Sequence, residues 1–235
     1  MAATPHLTTI GLDADDTLWQ NEAIFQFTEA RFCELLAEHA EGEVVSARLL
    51  EAERRNLSHY GFGVKGFVLS MIETALDVTD DRASATIVRQ ILDAGRDMLQ
   101  HPVETLPGVP ETLEALAKTH RLVLITKGDL FDQERKLAAS GLGDFFDAAE
   151  IVSDKTAGTY ERVFARHGDG PGRAMMVGNS LKSDVLPAIA AGSFGVHVPH
   201  ALTWALEHAE APENEPRFRR VEQFAMLRDV VAALG

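Results

Sequence analysis

Four short polar stretches carry the residue types able to do chemistry, and each directly follows an apolar run. The first is "DADDT", where Asp13, Asp15 and Asp16 fall within four positions after "TTIGL". Carboxylates this close repel one another, and burial at a strand end raises the cost. A cation relieves it. So does a reaction that uses one carboxylate as nucleophile and another as general acid/base. A turn that caps the next helix accounts for the same residues, since Asp and Thr are favoured there. A calcium-binding EF-hand does not: a loop starting at Asp13 needs Gly at position 18 and Glu at position 24, where the chain has Leu18 and Ile24.

The second stretch is "ITKGD". The hydroxyl of Thr126 and the N–H groups of Lys127 and Gly128 can grip phosphate oxygens, although a plain strand-to-helix turn uses the same residues. The third, "IVSDKT", sets Lys155 just past an apolar run. A lone lysine is usually a solvated surface charge, but at a strand end it can offset the charge of Asp13 and of a phosphate. The fourth, "VGNSLKSD", offers Asn179 and Asp184 as oxygen ligands suited to Mg²⁺. Its serines, Ser180 and Ser183, equally suit a helix cap.

These stretches need elements to hold them. From Asn21 to about Gln100 the apolar spacing is helical, with Ile24, Phe25, Phe32, Leu35 and Leu36 on one face. About four helices and no strand are expected there, with "TDD" capping the last. Beyond "HPVETLPGVP" helices alternate with continuous apolar runs: "RLVLIT", "AAEIVS", "RAMMVG" and "SFGVHV". That alternation predicts a parallel sheet with helices on both faces. The tail adds one more strand and a final helix. The reading is an α/β fold, a Rossmann-like parallel sheet core formed by residues 1–19 and 103–235, with an all-helical domain at 20–102 inserted after the first strand. In such sheets ligands bind at the carboxyl ends of the strands, where all four polar stretches fall.

Composition narrows the class. The chain has 235 residues, 46% apolar and 25% charged, with a net charge of −14. That argues against a nucleic-acid surface, which needs basic patches. It also means that an anionic substrate needs a metal or local basic groups to approach. The one cysteine, Cys33, lies in a helical pattern and reads as a small core residue, which excludes a disulfide framework. The opening "MAATPHLTT" lacks a basic segment followed by an apolar one, and no apolar run approaches ~18 residues. The expectation is a cytoplasmic protein with no membrane partner. Oligomeric state is not legible.

The order DxDxT, Thr after a second strand, Lys, then G-[DN]-S-x-x-x-D resembles the haloacid dehalogenase-like (HAD) hydrolase superfamily. The helical insert is similar to that superfamily's C1 cap. The resemblance implies that Asp13 is the nucleophile and Asp15 the acid/base, with Thr126 and Lys155 binding phosphate. It further implies Mg²⁺ held by Asp13, the carbonyl of Asp15, and Asn179 and Asp184. Many members carry Asp where this chain has Asn179, whose amide oxygen coordinates without formal charge. The implied function is a Mg²⁺-dependent phosphatase of a small phosphorylated metabolite, working through an aspartyl-phosphate. A 2-haloacid dehalogenase and a phosphomutase are alternatives on the same fold. Asp15 speaks against the former, because halide leaves unprotonated. A catalytically silent binding or regulatory protein would be expected to lose Asp13 or Asp15, and both are present.

One stretch lies outside those motifs. "HYGFGVKGF" interrupts the helical insert with Gly61, Gly63 and Gly66. One glycine suffices for a helix–helix connection, so three suggest a substrate-selecting break with Lys65 as its main polar contact.

Overall fold

The computed structural model of the protein describes residues 6–234. Residues 1–5, part of the stretch read for a leader, and Gly235, at the end of the expected final helix, lie outside the described residues. The chain divides into two compact units. One holds the chain up to Gln20 with Val103–Lys127 and everything from Gln133 onward; the other holds Asn21–Pro102 and the short segment Gly128–Asp132.

The second unit contains α1 (Glu22–Leu35), α2 (Gly42–Tyr60), α3 (Val64–Val78) and α4 (Ala85–Gln100). Phe32, Leu49, Phe67, Met71 and Ile91 form its own core, drawn from all four helices. Ser84, not the expected "TDD", caps α4: its Oγ accepts from the N–H of Ile87 at 3.2 Å. The aspartates at 80 and 81 instead make the preceding turn, with φ of 50° and 60°. The three glycines of the break each have a local backbone reason. Gly61 ends α2 at φ 71°, Gly63 opens α3 at φ 104°, and a Cβ on Gly66 would come within 2.8 Å of the Gly61 carbonyl. Turn geometry therefore accounts for all three, and the glycine count carries no argument for substrate selection.

The first unit is a six-stranded, all-parallel sheet: β1 (Thr9–Leu12), β2 (Arg121–Lys127), β3 (Ala148–Val152), β4 (Ala174–Gly178), β5 (Phe194–His197) and β6 (Phe218–Arg220), in the order β3-β2-β1-β4-β5-β6. Its helices are α5 (Val109–Leu116), α6 (Leu130–Ser140, from Gln133 onward), α7 (Ala157–His167), α8 (Leu186–Ala190) and α9 (Leu227–Leu234). Period-two alternation sends Ile10, Leu12, Leu122, Leu124, Met175 and Val177 to one face, against α5 and α9. Val123, Ile125, Ala174 and Met176 go to the other, against Tyr160 and Phe164 of α7. Both faces are covered, hence the unbroken apolar runs. At Gly11 a Cβ would meet Ile125 and the Phe164 ring at 2.9 Å, so glycine lets α7 sit close on the central strand.

The chain runs outward from β1 through β2 to β3, then returns to the opposite side of β1 for β4. Loops therefore diverge at the carboxyl ends of β1 and β4, where such sheets form a crevice. Chain segments beside Gln20 and Val103 are laddered together. The Gln20 N–H donates to the Glu104 carbonyl at 3.0 Å, the Leu106 N–H to that of Leu18 at 2.9 Å, and Trp19 bridges Thr105 in antiparallel fashion.

Candidate active site

Asp13 leaves β1 with its N–H donating to the Val177 carbonyl of β4 at 2.9 Å. Its carboxylate is buried. The Lys155 ammonium donates to one oxygen, and the Thr17 hydroxyl to the other at 3.0 Å. The same ammonium donates to Asp184 Oδ1 at 2.6 Å. Two buried carboxylates thus share one buried ammonium, leaving one negative charge in excess. Burial, then the charge of Asp184, raise the Asp13 pKa from 3.8 to about 7 against the pull of Lys155. For Lys155, burial alone would lower the pKa, but Asp13 and Asp184 outweigh it and hold the ammonium above the usual lysine value. Lys155 is accordingly a buried ion-pair partner and not a solvated surface charge.

Asp184 is set by an irregular turn. Leu181–Val185 forms a π-helical turn that leads into α8. Pro187 has no N–H to offer the Ser183 carbonyl four residues earlier, and the Tyr160 hydroxyl donates to that carbonyl at 2.8 Å instead. Burial, and then the charges of Asp184 and Asp13, hold Tyr160 well above its ordinary pKa, so it stays a donor. The second Asp184 oxygen accepts from the Ser180 N–H at 2.9 Å. A Cβ on Gly178 would fall 2.1 Å from that oxygen, so only glycine admits the carboxylate at the end of β4. Ser180 also caps the turn, accepting from the Ser183 N–H at 2.9 Å. The capping reading of "GNSLKSD" and the placement of Asp184 beside Asp13 therefore hold together.

Asn179 meets Asp13 through Thr17. The Asn179 N–H donates to Thr17 Oγ1 at 3.0 Å, and the Thr17 hydroxyl lies 3.3 Å from Asn179 Oδ1. The Asn179 carbonyl accepts from His197 Nε2 at 3.0 Å, which fixes the proton on that nitrogen. Burial lowers the His197 pKa.

Asp15 is held by side chains that sequence reasoning missed. Trp19 Nε1 and Lys136 Nζ each donate to Oδ1 at 2.7 Å, and Gln133 Nε2 donates to Oδ2 at 3.1 Å. Gln133 also reaches Thr126 Oγ1 at 2.7 Å and the Lys127 carbonyl at 2.8 Å. The Lys127 side chain turns to Glu207, donating to its Oε1 and to Ser183 Oγ, each at 2.8 Å. Ser180 donates to Glu207 Oε2 at 2.6 Å, and Ser183 donates to the same oxygen. Gly128, with φ 136°, opens the short segment that clusters with the helical unit. Lys65 belongs to that unit, where it pairs with Asp129 at 2.8 Å.

Burial would raise the Glu207 pKa, but Lys127 and the serine hydroxyls outweigh it and hold it below 4.5. Its folded value is depressed, so the stability it contributes is present above about pH 4.5 and is lost as pH falls through the folded value. Thermal melts of Glu207→Gln should therefore depend less on pH across that range than those of the unsubstituted protein. Parallel melting curves would mean that the Lys127 pair adds nothing to the fold.

Oxygen donors dominate the cluster: the carboxylates of Asp13 and Asp184 and, through Thr17, the amide oxygen of Asn179. Among the described residues no three His, Cys, Asp or Glu side chains are grouped to hold a metal by themselves. The oxygen donors themselves suit Mg²⁺, which takes one or two carboxylates and keeps water or phosphate oxygens as its other ligands. The one negative charge left in excess by two carboxylates on a single ammonium suits it as well.

Fold and site together define an α/β enzyme with its polar machinery at the strand ends of a parallel sheet. A haloacid dehalogenase-like hydrolase family model matches residues 7–192, and the chain belongs to that family. A haloacid dehalogenase-like family hydrolase from Xanthomonas campestris is 42% identical, with a TM-score of 0.88 over 97% of this chain and 92% of that one. HAD-hydrolase YfnB from Bacillus subtilis, whose structure is bound to magnesium, shares the fold at 17% identity, with a TM-score of 0.67 over 96% of this chain and 99% of that one. A glyceraldehyde 3-phosphate phosphatase from Methanothermobacter thermautotrophicus is 30% identical over 133 residues, 53% of this chain. The matched part spans 58% of that relative's length. Among the described residues no helix is long and apolar enough to cross a membrane.

Proposed function

We propose that the protein is a Mg²⁺-dependent phosphatase of a small phosphorylated metabolite, acting through an aspartyl-phosphate on Asp13. The observation that carries this reading is the buried Asp13–Lys155–Asp184 cluster, with Asp15 held separately by its own donors. Asp13 attacks phosphorus as the bond to the leaving oxygen breaks, and Asp15 gives that oxygen a proton. Asp15 then takes a proton from the water that attacks the aspartyl-phosphate, which releases phosphate and restores Asp13. Thr126, the N–H groups of Lys127 and Gly128, and the Lys155 ammonium hold the phosphoryl oxygens. Mg²⁺, held by Asp13, Asp184, Asn179 and the Asp15 carbonyl, supplies charge neutralisation when bound.

Hydrolysis of p-nitrophenyl phosphate should require Mg²⁺ and stop in chelator. A panel of phosphorylated metabolites then locates the substrate. Triose phosphates belong in it, given the named activity of the Methanothermobacter relative. Full activity in chelator, or turnover of 2-haloacids instead of phosphate esters, would overturn the reading.

Lys65 is proposed to contact the leaving group. Its pair with Asp129 is exposed, and such pairs contribute only about 0–1 kcal/mol, so exchange for a substrate anion costs little. Lys65→Ala should lower kcat/KM for the best metabolite by about 1–3 kcal/mol and leave p-nitrophenyl phosphate unaffected. Equal losses on both would assign Lys65 to the fold.

A further inference from the structure

The three donors on Asp15 are arranged asymmetrically. Trp19 and Lys136 both donate to Oδ1, and Gln133 alone donates to Oδ2. Each carboxylate oxygen has two lone pairs, so Oδ1 is filled and Oδ2 keeps one. Gln133 and Lys136 lie three residues apart on α6, hence on one helix face. The Gln133 amide nitrogen stands within hydrogen-bond distance of Asp15, Thr126 and the Lys127 carbonyl, which is more acceptors than its two protons can serve at once. Its oxygen is buried, with no hydrogen-bond partner among the described residues. A buried amide left half satisfied calls for a role beyond packing.

We infer that Lys136 and Gln133 are positioning residues for Asp15, fixing its carboxylate so that Oδ2 is the oxygen that exchanges protons with the leaving group and with water. Lys136 pins Oδ1 beside Trp19, which prevents the carboxylate from rotating. Gln133 ties Oδ2 to Thr126, so one side chain sets the acid/base against the hydroxyl proposed to grip phosphate. This inference rests on the reading of Asp15 as acid/base.

The test compares kcat/KM across aryl and alkyl phosphates of graded leaving-group acidity, in Mg²⁺, for Asp15→Asn, Lys136→Met, Gln133→Leu and Lys136→Arg. Asp15→Asn should lose most on poor leaving groups. Lys136→Met and Gln133→Leu should copy that slope, losing on the order of tenfold to a hundredfold on alkyl phosphates and little on the most acidic aryl ester. Lys136→Arg should recover most of the loss. If Lys136→Met fails to fold, Lys136→Ala gives the same comparison, and if Gln133→Leu fails to fold, Gln133→Met does, since each removes the same donor. Equal losses on every leaving group in the Lys136 and Gln133 variants, beside a steep Asp15→Asn, would overturn the inference and leave the acid/base reading standing. A flat Asp15→Asn would overturn both.

Discussion

Asp13→Asn should stop turnover and leave the protein at least as stable as before. The loss should be on the order of 10⁴-fold or more, the scale expected when a nucleophile is removed. An amide is a poor nucleophile toward phosphorus, yet it fits the site. Its oxygen can accept from Lys155, its nitrogen can donate to the Thr17 hydroxyl, and Thr17 can then donate to Asn179. Removing one carboxylate also removes a buried charge whose pKa burial, and then the charge of Asp184, raise from 3.8 to about 7. That shift costs folded-state stability progressively as pH rises from about 3.8 to about 7, and fully above it, so at neutral pH and beyond the metal-free Asn variant should melt no lower. Hydroxylamine trapping of an acyl-phosphate should succeed with the unsubstituted enzyme and fail with the variant. Turnover by a folded Asn variant would refute covalent catalysis.

Lys155→Met is expected to do the opposite to stability. It leaves Asp13 and Asp184 buried together with no ammonium between them. Breaking a buried pair by removing one partner costs about 3–5 kcal/mol. Part of that loss should return when Mg²⁺ is added, because a ligand that binds only the folded state stabilises it by mass action. The thermal shift on adding Mg²⁺ should therefore be larger in Lys155→Met than in the unsubstituted protein. Adding Asp13→Asn to Lys155→Met should restore stability without metal and restore no activity. A Lys155→Met protein that melts where the parent does would show that the ammonium contributes nothing net to this cluster.

Much of this arrangement is legible in the sequence because it is periodic or local. Unbroken apolar runs report strands buried on both faces, and Asp13, Thr126 and Asn179 each follow such a run, whereas Lys155 follows the edge strand β3, where Glu150 interrupts the apolar residues. The π-helical turn was not legible: the donor that reaches the Ser183 carbonyl comes from Tyr160, 23 residues earlier, and no local pattern marks that pairing. Glu207 was hidden in a polar loop 80 residues from Lys127, and no local pattern marks it. Gln133 and Lys136 did leave a signal: two polar residues at i and i+3 just past "TKGD". Sequence alone could not say that this face meets Asp15. The glycines of the helical unit misled in a different way, because the need for positive φ at two of them and for close approach at the third appears only once the backbone path is known.

The laddered neck, where Gln20 meets Glu104 and Trp19 meets Thr105, makes the helical unit a cassette. A segment whose two ends are already held side by side can be lengthened, shortened or exchanged at small entropic cost, because loop closure depends only weakly on length. Its sequence can drift in evolution, or be grafted by design, without redrawing the sheet. The boundary of that freedom falls at Trp19. This residue both closes the neck against Thr105 and donates to Asp15, so a graft joined one residue too early would take a donor from the Asp15 carboxylate along with the cassette. Joined beyond the Gln20–Glu104 hydrogen bond, it would leave the Asp15 carboxylate where it is.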